Sequence, residues 1–193
     1  MELSERFNEA FLYASFLHNG QTRKSSPTPY ISHLLGVTAL VLQHGGDEDQ
    51  AIAALLHDAV EDQGGLETLD EIRSRFGERV ARIVDGCTDS YLTPKKPWLE
   101  RKRFYIERLK AEPNEVRLVS LADKVDNARA ILTDLREDGR ATWSKFKGGK
   151  EGTLWYYRAL ADVFSGFGEN ALTREFLQLV KEMEGLAKAS EDV

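Results

Sequence analysis

Ala53–Asp62 reads AALLHDAVED, and the change of character partway through this stretch decides how the chain is read. It opens as an apolar helix and then places His57-Asp58 just ahead of Glu61-Asp62. Side chains four positions apart on a helix lie one above the other, so His57 faces Glu61 and Asp58 faces Asp62. An imidazole and several carboxylates directly behind Ala-Ala-Leu-Leu need a neutralising partner, because buried charge is costly without one. A divalent metal ion is the economical answer.

Working outward, the helical period dominates and no alternating strand pattern competes with it. The helix holding this stretch is expected from Asp47, an N-cap residue, to about Val60. Before it, residues 4–18 form an amphipathic helix with Phe7, Phe11, Ala14 and Leu17 on one face, stopped by Asn19-Gly20. The loop QTRKSSPTPY follows, where Pro27 and Pro29 forbid regular helix, and then a helix over Tyr30–His44. After the Gly64-Gly65 break, two shorter helices meet near Gly77, and DSYLTPKKP (89–97) is a loop. A helix covers Trp98–Lys110, and another opens with Pro113 in its first turn and runs to about Leu135. Glu137–Gly152 is polar and glycine-rich and is expected to be mobile; helices over 153–166 and 169–187 end the chain. The expectation is a single all-α domain.

Composition narrows the classes. Hydrophobic residues make up 41% and charged residues 30%, an ordinary soluble balance, and the net charge of −6 argues against a general nucleic-acid binder. Cys87 is the only cysteine, which excludes an internal disulfide framework and fits a reducing compartment. The N-terminal stretch lacks the pattern of a signal peptide, and no apolar run reaches the roughly 18–20 residues that cross a bilayer. A cytoplasmic protein that meets neither membrane nor nucleic acid is expected. Phe164, Phe167, Phe176 and Leu177 on the last two helices are read as core or as a homodimer interface.

Other polar residues share apolar faces. His33 lies in line with Tyr30, Val37, Leu40 and Val41, and taken alone it reads as a hydrogen-bonded core histidine. Asp58 follows Ala51, Ala54 and Leu55, and Asp123 sits in a stripe with Val116, Val119, Ser120, Asn127 and Ile131. A single buried Asp is equally well served by an arginine, and Arg117 and Arg129 are close in sequence. The coincidence is what argues for an ion: His33, His57, Asp58 and Asp123 come from three expected helices and all turn inward. Two imidazoles and two carboxylates suit Mn²⁺, Fe²⁺ or Zn²⁺, and a set that leaves coordination positions open favours Mn²⁺ or Fe²⁺. An ion held this way lowers the pKa of its water.

The pattern H…HD…D resembles the HD superfamily of metal-dependent phosphohydrolases. More narrowly, RKSSPTPYISH, HDAVED and LADKVDN are similar to the hydrolase domain of RelA/SpoT homologues and to the small alarmone hydrolases, over roughly Phe11 to Leu132. The resemblance implies one HD-type helical bundle over 1–193, with a motif core at about 11–135 and C-terminal helices at about 153–187. It implies that His33, His57, Asp58 and Asp123 bind Mn²⁺ or another first-row ion, and that Glu61 and Asp62 are the catalytic acidic pair. It assigns Arg23, Lys24, Ser25, Tyr30, Lys124 and Asn127 to the substrate, a small-molecule nucleotide. Leu34 stands where the family has proline, and Asp126 stands where it commonly has a larger residue, adding charge beside the nucleotide. The resemblance implies removal of the 3′-diphosphate of guanosine 3′,5′-bis(diphosphate), with no synthetase half. The same machinery also suits adenosine alarmones or the 2′-phosphate of NADPH, and a catalytically silent metal-bound regulator is the reading from another class. Trp143, Lys145, Lys147, Lys150 and Trp155 are read either as cover for the pocket or as surface lysines with core tryptophans.

Overall fold

Ser4 starts the fold: its hydroxyl accepts from the Arg6 amide at 3.3 Å and caps α1 (Glu5–Leu17). The computed structural model describes residues 2–24, 26–91 and 94–189. After α1 come α2 (Ile31–Gln43), α3 (Glu48–Leu56), α4 (Ala59–Gln63), α5 (Leu66–Phe76), α6 (Glu78–Cys87) and α7 (Trp98–Ala111). Then follow α8 (Asn114–Asp138), a 3₁₀ helix (Gly139–Lys145), α9 (Gly149–Ser165) and α10 (Ala171–Ala189). The described residues form no sheet, only an isolated bridge between Thr22 and Pro29 that closes the loop after α1. The all-α reading holds.

Two helices position everything else. α3 begins with a capping box, in which the Asp47 side chain accepts from the Gln50 amide and Gln50 returns a bond to the Asp47 amide. From Ala51 to Leu56 it is fully buried, packed among α1, α2, α6 and α8. The 25-residue α8 packs against α2, α3, α6 and α10. Pro113 precedes α8 instead of sitting in its first turn, and its carbonyl accepts from the Val116 and Arg117 amides. Phe164 and Phe176 belong to the core with ring centroids 5.6 Å apart, while Phe167 and Leu177 are half-buried. No helix among the described residues is long and apolar enough to cross a membrane.

Several expectations change. The helix expected from Asp47 to Val60 breaks at His57-Asp58. The His57 ring donates from Nδ1 to the Ala54 carbonyl at 2.8 Å, competing for an acceptor the next turn would use, and Asp58 relaxes to ψ −5°. Glu61 and Asp62 therefore lie in the first turn of α4, not at the C-terminus of a long helix. Phe11 is 36% exposed, and Ala10 and Ala14 fill the buried face of α1 in its place. The 137–152 stretch is not a loose connection: it ends α8, forms the 3₁₀ helix with Thr142 and Trp143 buried, and begins α9. Two of its glycines serve close packing, since a Cβ at Gly148 would come within 2.8 Å of the Trp98 ring and one at Gly152 within 3.1 Å.

Candidate active site

The inward faces of α2, α3 and α8 meet at the break after α3. α2 carries His33, the end of α3 supplies His57 and then Asp58, and α8 brings Asp123. Both imidazoles are 2% exposed, and their Nε2 atoms are buried without a hydrogen-bond partner. Each points at the same carboxylates. Asp58 Oδ2 is 3.1 Å from His57 Nε2 and 3.5 Å from His33 Nε2, and Asp123 Oδ1 is 3.7 Å and 3.3 Å from the same atoms. The donor atoms of His33, His57 and Asp58 all lie within 4.8 Å of one another, close enough to share one ion. Asp123 faces both rings but also binds Lys124 and Asn127. It is not held by Arg117 or Arg129, which pair with Asn114 and the Lys110 carbonyl, and with Glu175.

The electrostatics ask for a cation. Burial works against the His33 imidazolium, yet the carboxylates of Asp123, Asp126 and Asp58 outweigh it and lift the ring to about 9. His57 is raised as well, against the cost of its burial, by Asp58 and Asp123. Asp58 and Asp123 are correspondingly held low despite burial, Asp58 by the two histidines and Asp123 by Lys124 with them. Two orphaned ring nitrogens facing two ionised carboxylates fit a divalent ion, with oxygen and imidazole donors of the type first-row metals take.

Glu61 and Asp62 flank this cluster on α4. Asp62 accepts from Gln21 Nε2 at 2.9 Å, and Lys95 Nζ lies 2.8 Å from Glu61 and 3.6 Å from Asp62. Together they line a cavity of about 850 Å³ whose walls carry Arg23, Lys24, Lys95, Arg101, Lys102 and Lys124. A carboxylate-rich floor beneath cationic walls suits a ligand with several phosphates.

The HD-domain family model matches residues 10–154. The chain belongs to the HD-domain family. It is 37% identical over 182 residues to the mouse guanosine-3′,5′-bis(diphosphate) 3′-pyrophosphohydrolase MESH1, covering 92% of this chain and 94% of the relative. A guanosine-3′,5′-bis(diphosphate) 3′-pyrophosphohydrolase from Aquifex aeolicus (strain VF5) is 36% identical over 74% of this chain but only 20% of its own length. Among solved structures, a metazoan ortholog of SpoT that hydrolyzes ppGpp superposes with a TM-score of 0.77 at 28% identity, over 96% of this chain and 99% of the other. The protein lmo0812 from Listeria monocytogenes EGD-e gives 0.69 at 32% identity, over 78% and 97%.

In this HD domain the residues expected at the substrate divide into two groups. Arg23 and Lys24 line the cavity, with Arg23 donating to Asn127 Oδ1 at 2.8 Å and lying over the Tyr30 ring. Tyr30 also lines the cavity, but its hydroxyl donates to Asp58 at 2.6 Å, which makes it a support for that carboxylate. Lys124 is half-buried against Asp123 and the Tyr105 ring. Asn127 joins Asp123 to Arg23. Ser25 lies outside the described residues.

The HD domain also uses residues the sequence reading passed over. Gln21 accepts from His18 Nδ1 and from Gln63 while holding Asp62, so the loop before α2 is tied to the acidic pair. Asp89 anchors Arg101 and Lys102 of α7, within WLERKRFY. Asp126 accepts from His33 and is not a free charge beside the nucleotide. Lys145 pairs with Asp134 and Asp138, and Lys150 donates to the Ala187 carbonyl, so of that group only Lys145 and Lys147 reach the cavity.

Proposed function

We propose that the chain, taken as one HD phosphohydrolase domain, hydrolyses the 3′-diphosphate of guanosine 3′,5′-bis(diphosphate) and of its pentaphosphate relative, releasing pyrophosphate. The observation that carries this reading is the likeness to MESH1 along 94% of that relative, over a site whose charges suit the reaction. In the reaction the oxygen of water bonds to the phosphorus next to the ribose 3′ oxygen. The bond between that phosphorus and the 3′ oxygen breaks, and a proton ends on the ribose hydroxyl.

His33, His57, Asp58 and Asp123 would hold the ion, for which Mn²⁺ fits the imidazole and carboxylate set. When bound, the ion supplies Lewis acidity and acidifies water. Glu61 and Asp62 orient the attacking water and accept its proton, with Gln21 keeping Asp62 in place. Arg23 and Lys24 grip the nucleotide on one side, while Lys95, Arg101 and Lys102 offset phosphate charge on the other.

Glu61→Gln is the direct test, because it keeps the shape of the side chain and removes the base. Its kcat should fall about 10²–10⁴-fold while Mn²⁺ uptake stays that of the wild type. Turnover at the wild-type rate would refute the assignment. The substrate is tested by product analysis with the guanosine compound, its adenosine analogue and NADPH. Pyrophosphate from the adenosine compound alone, or phosphate from NADPH alone, would overturn the guanosine reading.

Lys95 provides a pH signature. Burial, Asp89 and Asp58 raise the Glu61 carboxyl above its ordinary range, and Lys95 pulls it back down. A base works when deprotonated, so the acid limb of kcat/KM follows Glu61. Lys95→Met removes the cation that favours the carboxylate, and the limb should move to higher pH. A limb that stays put or moves to lower pH would exclude Glu61 as the group it reports.

A further inference from the structure

His33 and His57 aim bare Nε2 atoms at one place, but the groups behind them differ. His57 donates from Nδ1 to a backbone carbonyl, that of Ala54, at 2.8 Å. His33 donates from Nδ1 to the Asp126 carboxylate at 2.6 Å. We propose that Asp126 is a positioning residue for the ion site, fixing the tautomer and ring plane of His33, and that Gly36 lacks a side chain in order to seat it. The inference rests on the reading of His33 as a metal ligand and extends it to residues that the family resemblance gave no such role.

The geometry comes from one helix embracing another. Asp123 and Asp126 are three residues apart on α8 and so share a face. Asp123 Oδ1 lies 3.3 Å from His33 Nε2, and Asp126 Oδ2 takes the opposite nitrogen, so the ring is held between two carboxylates. His33 and Gly36 are likewise one turn apart on α2. A Cβ at Gly36 would stand 2.4 Å from Asp126 Oδ1, closer than any side chain tolerates, so the second carboxylate oxygen occupies the notch that glycine leaves. The Asp126 oxygen serves as the acceptor of this bond. Nδ1 must therefore carry the hydrogen, and the ring, once Nε2 has given up its own proton, would offer that lone pair to the ion. A charged acceptor also makes the imidazole a more basic donor than a backbone carbonyl does, and removing such a partner typically costs about 10–100-fold in metal affinity.

Calorimetric titration of Mn²⁺ into ion-stripped protein, with no nucleotide present, reads this directly. Asp126→Leu, similar in size and unable to accept, should bind Mn²⁺ about 10–100-fold more weakly than wild type. Asp126→Asn keeps an acceptor oxygen without the charge, and its loss should be smaller; it carries the test should the Leu variant not fold. Gly36→Ala, which pushes the carboxylate off its seat, should weaken binding in the same direction. In the ion-stripped protein, taken above the pKa of about 9 so that the His33 ring is neutral, imidazole ¹⁵N shifts should report a single Nδ1–H tautomer in the wild type and a mixture in Asp126→Leu. Wild-type affinity in Asp126→Leu with an unchanged tautomer would overturn the inference alone. A folded wild type that takes up no Mn²⁺ would overturn the ion reading and this inference with it.

Discussion

Asp58→Ala is expected to abolish ion uptake and turnover together. Asp58 Oδ2 is the carboxylate oxygen closest to the His57 nitrogen, at 3.1 Å, and it faces His33 as well. Without it the remaining inward carboxylate is Asp123, whose charge is already shared with Lys124 and Asn127. The two imidazoles then lose a main reason to face one cation, and the Tyr30 hydroxyl loses its acceptor. The expected loss in kcat/KM is about 10³-fold or more, given what single electrostatic groups contribute in water-excluded sites. A second readout separates a lost ion from a damaged fold. Mn²⁺ at about 100 times its Kd should stabilise the wild type by roughly 2.7 kcal/mol, visible as a rise in Tm, and should leave the variant's Tm unmoved. An Asp58→Ala protein that still gains Tm with Mn²⁺ and still turns over would remove Asp58 from the site.

What the sequence made legible was the conflict between polarity and periodicity. His33, Asp58 and Asp123 each interrupt an apolar face, and the fold brings all of them to His57. What stayed hidden depended on bonds that periodicity does not encode. The break of α3 follows from the His57 ring bonding the carbonyl of Ala54, a local competition between side chain and backbone. The order of the 137–152 segment follows from glycines passing close under Trp98, whereas glycine content alone reads as looseness. Nothing in the periodicity of Trp98–Lys110 marks Arg101 as inward, and its burial makes sense only with Asp89 beneath it. Asp126 was visible as a departure from the family pattern, but its partner lies on a helix more than ninety residues away, at the separation of 93 between His33 and Asp126.

Asp89→Asn should cost more stability than any other single change at the rim of this site. The Asp89 side chain is 4% exposed and lies between Arg101, itself 8% exposed, and Lys102 at 2.7 Å. Asparagine keeps the shape but leaves the buried guanidinium with only Glu61, 3.8 Å away, as counter-charge, and breaking such a buried pair typically costs about 3–5 kcal/mol. Urea unfolding at neutral pH measures it, and a loss below about 1 kcal/mol would show that the pair contributes little net stability. The pH dependence has a definite sign. Burial opposes ionisation of Asp89, but Lys102 and Arg101 win and hold its pKa at about 2, below the 3.8 of an ordinary Asp. A depressed pKa contributes stability above the unfolded value and loses it as pH falls through the folded one. The advantage of wild type over Asp89→Asn should therefore shrink by about 2 kcal/mol between roughly pH 4 and pH 2. The same substitution acts on the chemistry in the opposite sense to Lys95→Met. Asp89 raises the Glu61 carboxyl, so removing its charge should move the acid limb of kcat/KM to lower pH. A shift in that direction, in a variant that is less stable yet folded at the assay temperature, would show that the ion pair anchoring α7 also tunes Glu61, the proposed base on α4.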